Sequence, residues 1–262
     1  MKRNLLTAPL RFWRHLGYHR EIIKHLRWTR GDARRFAFYQ GLIRPGELVF
    51  DVGANMGNRS KIFRAIGARV AAFEPQSYCA TFLRAAFSGD KDFTLVQTAM
   101  SDCEGEQEMF LSDTHVLSTL NTDWLERMRQ GGRFAEQHWD RSETVPLTTL
   151  DKAIERFGIP DFIKIDVEGH ELKVIQGLSQ PVSMLSLEFA SESLDSLCAC
   201  VDHLAGLGPY EFRLSLGESM QFEGEAWLDP DGIKQELEQG VEHDPLIWGD
   251  IYARLASQPR TS

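Results

Sequence analysis

The stretch FIKIDVEGHELKVIQGL, residues 162–178, decides how the rest of this chain reads. It opens with Phe162, Ile163 and Ile165, the apolar content of a buried strand. Asp166, Glu168, His170 and Glu171 then follow within six positions, and HELKVIQGL continues as a helix. Carboxylates without partners are too costly to bury, so this strand end faces a site or carries its own hydrogen-bond partners. In open sheets of parallel strands, ligands bind beyond the carboxyl ends of the strands. The informative residues are therefore those at which each strand stops.

Outward from this block, strands alternate with helices. ELVFDVG (47–53), ARVAAFEP (68–75), FTLVQTAMS (93–101), DFIKIDVEG (161–169) and SMLSLEFA (183–190) read as strands. RRFAFYQGLI (34–43), NRSKIFRAIG (58–67), SYCATFLRAAFS (77–88), LDKAIERFG (150–158) and SLDSLCACVDHLAGLG (193–208) read as helices, several with apolar residues three or four apart. GEQEMFLS (105–112) reads as an extra strand, and YEFRLSL (210–216) and GDIYARL (249–255) as closing strands. The alternation predicts an α/β domain over residues 36–262, with a mostly parallel sheet covered on both faces. Residues 113–145 interrupt it as a long polar insertion that includes His115, Trp124, His138 and Trp139. Long loops in compact domains are commonly functional or disordered. This one is expected to pass over the site, with Trp124 and Trp139 stacking on a sugar and His115 meeting a hydroxyl, or with the tryptophans simply packing the insertion.

The strand ends carry a pattern. The first stops at FDVGANMGN, with Asp51, Gly53, Asn55 and Gly57. A dinucleotide turn of the form G-x-G-x-x-G would need glycine at 55 and 58, where asparagines stand. An acid followed by G-x-x-x-G suits instead a ligand with a cationic amine and no pyrophosphate, such as S-adenosylmethionine. A turn that holds no ligand is the other reading. Glu74 ends the second strand, about twenty residues on, where an acid can accept both hydroxyls of a ribose. Ser101 and Asp102 end the third, as an adenine contact or as a plain turn pair. Asp166, Glu168 and His170 would then border the reacting centre, whereas Glu171 reads as a helix cap.

The net charge of −9 hides an asymmetry. Residues 1–35 carry +8, interleaved with Phe12, Trp13, Leu16, Ile22 and Trp28, and the remainder carries −17. This basic amphipathic segment reads as a solvated helix packed on the domain, or as one lying on an anionic membrane surface. The second idea fails if deleting residues 1–35 leaves binding to anionic vesicles unchanged. The acidic remainder would repel phosphates, so no nucleic-acid partner is expected. No signal sequence or apolar span is expected, and the four cysteines read as reduced thiols, which fits a cytoplasmic protein, at most at the inner face of the membrane.

Together these residues resemble the FkbM family of S-adenosylmethionine-dependent methyltransferases. VFDVGANMG is similar to its first motif, FEPQ to its ribose turn and AMSDCEGEQEMF to its third-strand segment. VPLTTLDKAIERFGIPDFIKIDVEGHELKVIQG resembles its most distinctive block, and the likeness covers roughly residues 35–255. It implies a seven-stranded Rossmann-like sheet and O-methylation of a sugar, glycolipid or polyketide-type hydroxyl. Asp51, Gly53, Asn55 and Gly57 would hold the methionine part, Glu74 the ribose, and Ser101 and Asp102 the adenine edge. For the proton of the acceptor, His170 is the expected base, Asp166 the alternative, and a divalent ion on those two residues a third option. A nucleotide-binding oxidoreductase and an inactive membrane-associated module of the same fold are the competing readings.

Overall fold

The structure is a computed structural model that describes residues 27–112, 118–121 and 141–256. The first 26 residues of the basic segment lie outside these, as do His115, Trp124, His138 and Trp139 of the insertion. Helix α1 (Arg30–Tyr39) is capped by Thr29 and Asp32 in a reciprocal capping box and runs across position 35. There follow β1 (Leu48–Val52), α2 (Asn58–Ile66), β2 (Arg69–Phe73), α3 (Ser77–Ala86) and β3 (Phe93–Val96). Next come β4 (Ala99–Met100), β5 (Gly105–Leu111), β6 (Arg141–Thr148), α4 (Leu150–Phe157), β7 (Phe162–Ile165) and α5 (Glu171–Gln176). The chain closes with β8 (Met184–Ala190), α6 (Leu194–Leu207), β9 (Tyr210–Leu216), α7 (Pro230–His243) and β10 (Trp248–Leu255).

Seven strands form the main sheet in the order β3-β2-β1-β7-β8-β10-β9, parallel except for β10, which runs against both its neighbours. This is the expected mostly parallel seven-stranded α/β sheet. The strand order reverses at β1 and β7, so the two central strands end side by side: Val52 pairs with Ile165. Every residue of both strands is buried, as expected where helices cover both faces. Successive side chains alternate faces. Phe50, Val52, Ile163 and Ile165 pack with α4, α5, α6 and α7 on one side. Val49 and Phe162 pack with α1, α2 and α3 on the other.

The expected third strand, 93–101, divides in two. β3 stays paired with β2 only as far as Phe73 and Val96, because β2 ends at the Glu74–Pro75 turn. Without that partner the chain breaks away, and β4 joins β5 and β6 in a second sheet ordered β4-β6-β5. The end of the expected insertion, from Arg141 on, is thus a strand: β6 pairs antiparallel with β5 and runs on past 145. Helix α7, in a segment with no expected element, starts at Asp229, which caps Gly232 N–H ahead of Pro230 in the first turn. All four cysteines are free thiols. No helix among the described residues is long and apolar enough to cross a membrane.

Candidate active site

A cavity of about 340 Å³ opens beyond the carboxyl ends of β1, β2 and β7, where the strand order reverses. Asp51, Gly53, Asn55, Glu74, Asp166, Glu168 and His170 all line it. On its β1–β2 side the acids are already engaged. Asp51 is 2% exposed and accepts a short hydrogen bond from Ser60 Oγ. Glu74, also buried, accepts Asn55 N–H at 2.7 Å and Gln76 N–H at 2.8 Å, one on each oxygen. Burial pushes Asp51 up to about 6 and Glu74 up to about 7, against the opposing pull of those hydrogen bonds.

The glycines of this turn serve the protein's own backbone. Gly53 has φ +80°, and a Cβ there would stand 1.8 Å from the Asp166 carbonyl oxygen. Only glycine lets the β1 turn pass this close to the end of β7. Gly57, at φ +78°, does not line the cavity; a Cβ there would press into Leu83 and Phe87, so it permits α2 to pack on α3. Asn55 takes up φ +49°, a conformation that asparagine tolerates better than most residues.

On the β7–β8 side the balance is different. Asp166, Glu168 and Glu188 each bring a carboxylate oxygen to within 4.8 Å of the other two. Beneath them Lys164 is fully buried, with its Nζ 2.8 Å from Asp250 and 3.4 Å from Asp166. Burial would raise Asp166, but the Lys164 ammonium and a hydrogen bond shared with Glu188 hold it below the usual carboxylate range. Burial and the Asp166 charge drive Glu168 and Glu188 well above the ordinary glutamate range. The cluster therefore keeps Asp166 ionised and retains protons on its neighbours. Glu168 sits at φ +52°, an uncommon conformation for a non-glycine residue. It is held there by Thr119 Oγ1, which donates to its carbonyl at 2.7 Å. Asn121 Nδ2 does the same for Gly169 O at 2.6 Å. Glu171 braces the loop from below: its Oε1 accepts the N–H groups of Val167 and Gly169, each at 3.2 Å.

His170 lines the cavity but is a weak base. Burial pushes it down to about 4, and its Nε2 lies 3.2 Å from Ser101 Oγ. Ser101 and Asp102 do not line the cavity. Asp102 accepts from Lys173 Nζ at 2.6 Å, and Ser101 Oγ is shared between Asp102 and His170. Thr98, Ala99 and Met100 form that wall instead, because the break after β3 carries 101 and 102 past it. The described part of the insertion does reach the site, through Ser118 and Leu120.

Four charged residues of the cavity wall were not among the expected site residues: Arg35, Arg59, Glu188 and Glu218. Glu188 was legible in principle, as an acid inside the apolar strand MLSLEFA. Arg35 and Glu218 come from distant parts of the chain and meet only in the fold.

The family described as Methyltransferase FkbM domain matches residues 51–191. None of the curated proteins matches the chain. Among solved structures, it is similar to the precorrin-6y C5,15-methyltransferase of Geobacter metallireducens, at 13% identity and TM-score 0.45, covering 85% of this chain and 87% of that one. A TehB-like SAM-dependent methyltransferase of Corynebacterium glutamicum is 8% identical at TM-score 0.44, with 94% and 99% covered. TYW2 of P. horikoshii, solved in complex with MeSAdo, is 11% identical at TM-score 0.42, with 88% and 66% covered. The family match spans more than half of the chain and contains both central strand ends, so the chain belongs to the FkbM methyltransferase domain family and is an S-adenosylmethionine-dependent methyltransferase.

Proposed function

We propose that this enzyme methylates a hydroxyl group of a sugar, glycolipid or polyketide-type acceptor, and that Glu168 takes the hydroxyl proton. The observation that carries this is the carboxylate cluster Asp166–Glu168–Glu188 at the cavity wall, close to one another and served by a single buried ammonium. An alcohol is a poor nucleophile whose proton must leave as the new bond forms. A neutral amine has no such need before attack, so a basic cluster at the reacting end favours an oxygen acceptor.

The residues fit the donor chemically. S-adenosylmethionine, when bound, supplies an electrophilic methyl group on a sulfonium. Cavities of a few hundred Å³ are of ligand size, and this one is rich in carboxylates that suit a cationic amine and sulfonium. Asp51 and the Gly53–Asn55 backbone would hold the methionine part. Glu74, whose oxygens keep lone pairs beyond the two N–H groups they accept, would take the ribose hydroxyls. Thr98 to Met100 would border the adenine. The acidic wall and the net charge of −9 also favour a small or lipid-linked acceptor over a nucleic acid.

Glu168 is preferred to His170 as the base. Its neutral form is stabilised by burial and by Asp166, and a cation entering the cavity opposes this and favours the carboxylate, which is the form that can accept a proton. Asp166 stays ionised and is too weak a base, so its task is to hold the charge pattern. Acceptors are tested by mass spectrometry on a panel of sugars, glycolipids and polyketide alcohols. Transfer to oxygen is expected, with Glu168→Gln slowing the step by about a hundredfold or more and leaving S-adenosylhomocysteine affinity nearly unchanged. A methyl group found on nitrogen or carbon, or an unaltered rate in the variant, would overturn the assignment.

A further inference from the structure

The cavity has an excess of acids, yet a methyl donor of this kind also carries a carboxylate. Among the described residues the wall offers two guanidinium groups for it, Arg35 and Arg59. Arg35 is engaged: Nε and Nη2 donate to Glu218 at 3.2 and 3.0 Å, and Nη1 lies 3.6 Å from Asp32. Arg59 is not fully engaged. Its Nη1 and Nη2 reach Glu218 at 3.4 and 2.9 Å, but its buried Nε–H has no hydrogen-bond partner among the described residues. Its side chain is 13% exposed. A buried charged donor left unmatched is costly and uncommon. Arg59 is the second residue of α2, directly after the turn that carries Gly53 and Asn55. Arg35, Arg59 and Lys61 face Glu218 and Asp32 here, three cations to two acids, and Arg59 also lies in the field of Asp51, Asp166 and Asp250.

We infer that Arg59 receives the carboxylate of the donor's methionine group on the edge of its guanidinium that lines the cavity, with Arg35 and Glu218 fixing its plane. This rests on the donor occupying this cavity. It divides the donor's three charged groups by sign: the amine and the sulfonium lie toward the acids, and the carboxylate lies toward α2. Arg59 lies inside the matched segment 51–191 but Arg35 and Glu218 lie outside it, so this corner is built only in part by the segment that the family match includes.

The test is calorimetric and needs no acceptor. S-adenosylmethionine and its decarboxylated analogue, which keeps the amine and the sulfonium, are each titrated into the full-length protein and into Arg59→Met and Arg59→Lys. The parent should bind the carboxylate-bearing ligand about tenfold to a hundredfold more tightly than the analogue, the range of a charge-assisted hydrogen bond. Arg59→Met should remove this preference while keeping the affinity for the analogue, and Arg59→Lys should keep part of it. If the parent binds both ligands equally, the carboxylate site is wrong while the donor assignment stands. If Arg59→Met weakens both ligands alike, Arg59 is only structural. If Arg59→Met does not fold, Arg59→Lys decides: a preference for the carboxylate-bearing ligand as large as the parent's would overturn the assignment to Arg59. If the parent binds neither ligand, the donor reading fails, and this inference with it.

Discussion

The two sides of the cavity treat their carboxylates in opposite ways. On the β1–β2 side each acid has its own donors: Ser60 for Asp51, and the Asn55 and Gln76 amides for Glu74. These acids shape the loop that they serve. On the β7–β8 side Asp166, Glu168 and Glu188 crowd together, and the nearest ammonium, that of Lys164, is shared with Asp250. The first side has its hydrogen bonds satisfied. The second is short of positive charge, so it answers to whatever cation or proton enters. The contrast divides binding from chemistry within one cavity, and Gly53 against the Asp166 carbonyl is the joint between the two.

Removing the shared ammonium is the strongest way to break this contrast. Lys164→Met leaves Asp250, which is 4% exposed, and Asp166 without their ion partner. Loss of one partner from a buried pair costs about 3–5 kcal/mol, to be read from denaturant unfolding at pH 7. The loss should shrink at low pH, as Asp166 takes up a proton and no longer needs the ammonium. A variant as stable as the parent at pH 7 would mean that Lys164 does not hold the cluster together.

A smaller effect sharpens the other side. Glu74 is raised in the fold, from 4.5 to about 7. The native state therefore binds a proton that the unfolded chain has released. The stability that Glu74 contributes is complete below about pH 4.5 and is lost as the pH rises toward 7. One such proton gives a slope of up to about 1.4 kcal/mol per pH unit. Glu74→Gln should flatten the stability curve between pH 5 and 7, leaving the parallel contributions of Asp51 and Glu171 in place. Its lost backbone hydrogen bond should appear as an offset that does not vary with pH. A curve parallel to the parent's would contradict the burial account of Glu74.

The smallest expected effect lies outside the cavity. Asp102 pairs with Lys173, whose side chain is 51% exposed, and exposed pairs contribute about 0–1 kcal/mol. Asp102→Asn should change stability by no more than that and leave S-adenosylhomocysteine affinity unaltered. A tenfold loss of affinity would return Asp102 to the adenine pocket.

Much of the main sheet was legible because its signals are local. VFDVG and FIKIDVEG are short apolar runs that stop at acids and glycines, and such runs mark buried strands at any distance from their partners. Helix α7 carried an equally local signal, Asp229 before Pro230, which sequence reading passed over. The break after Val96 was not local: it follows from where β2 ends, not from the composition of 93–101. The same holds within the site. Asp51, Glu74 and Asp166 stand at strand ends, where the sheet itself aims them at the cavity. Arg35, Arg59 and Glu218 meet only after helix α1 and the segment beyond β9 have folded over α2. Thr149 and Asp151, within the most distinctive block of the resemblance, are structural by contrast. Thr149 caps α4, and Asp151 accepts Ser179 N–H at 3.0 Å.

The central claim, a charge-deficient cluster waiting beside the bound donor, is tested most directly by proton release. S-adenosylmethionine and S-adenosylhomocysteine differ by the methyl group and the positive charge on sulfur. Each is titrated calorimetrically at pH 7 in two buffers of different ionisation enthalpy, from which the number of protons exchanged on binding follows. A sulfonium beside Glu168 and Glu188 lowers their proton affinity. The account therefore predicts that both ligands bind, that the sulfonium releases more protons than the thioether, and that Glu168→Gln reduces the difference. Equal proton release by the two ligands would place the methyl group away from the carboxylates and contradict the assignment of Glu168.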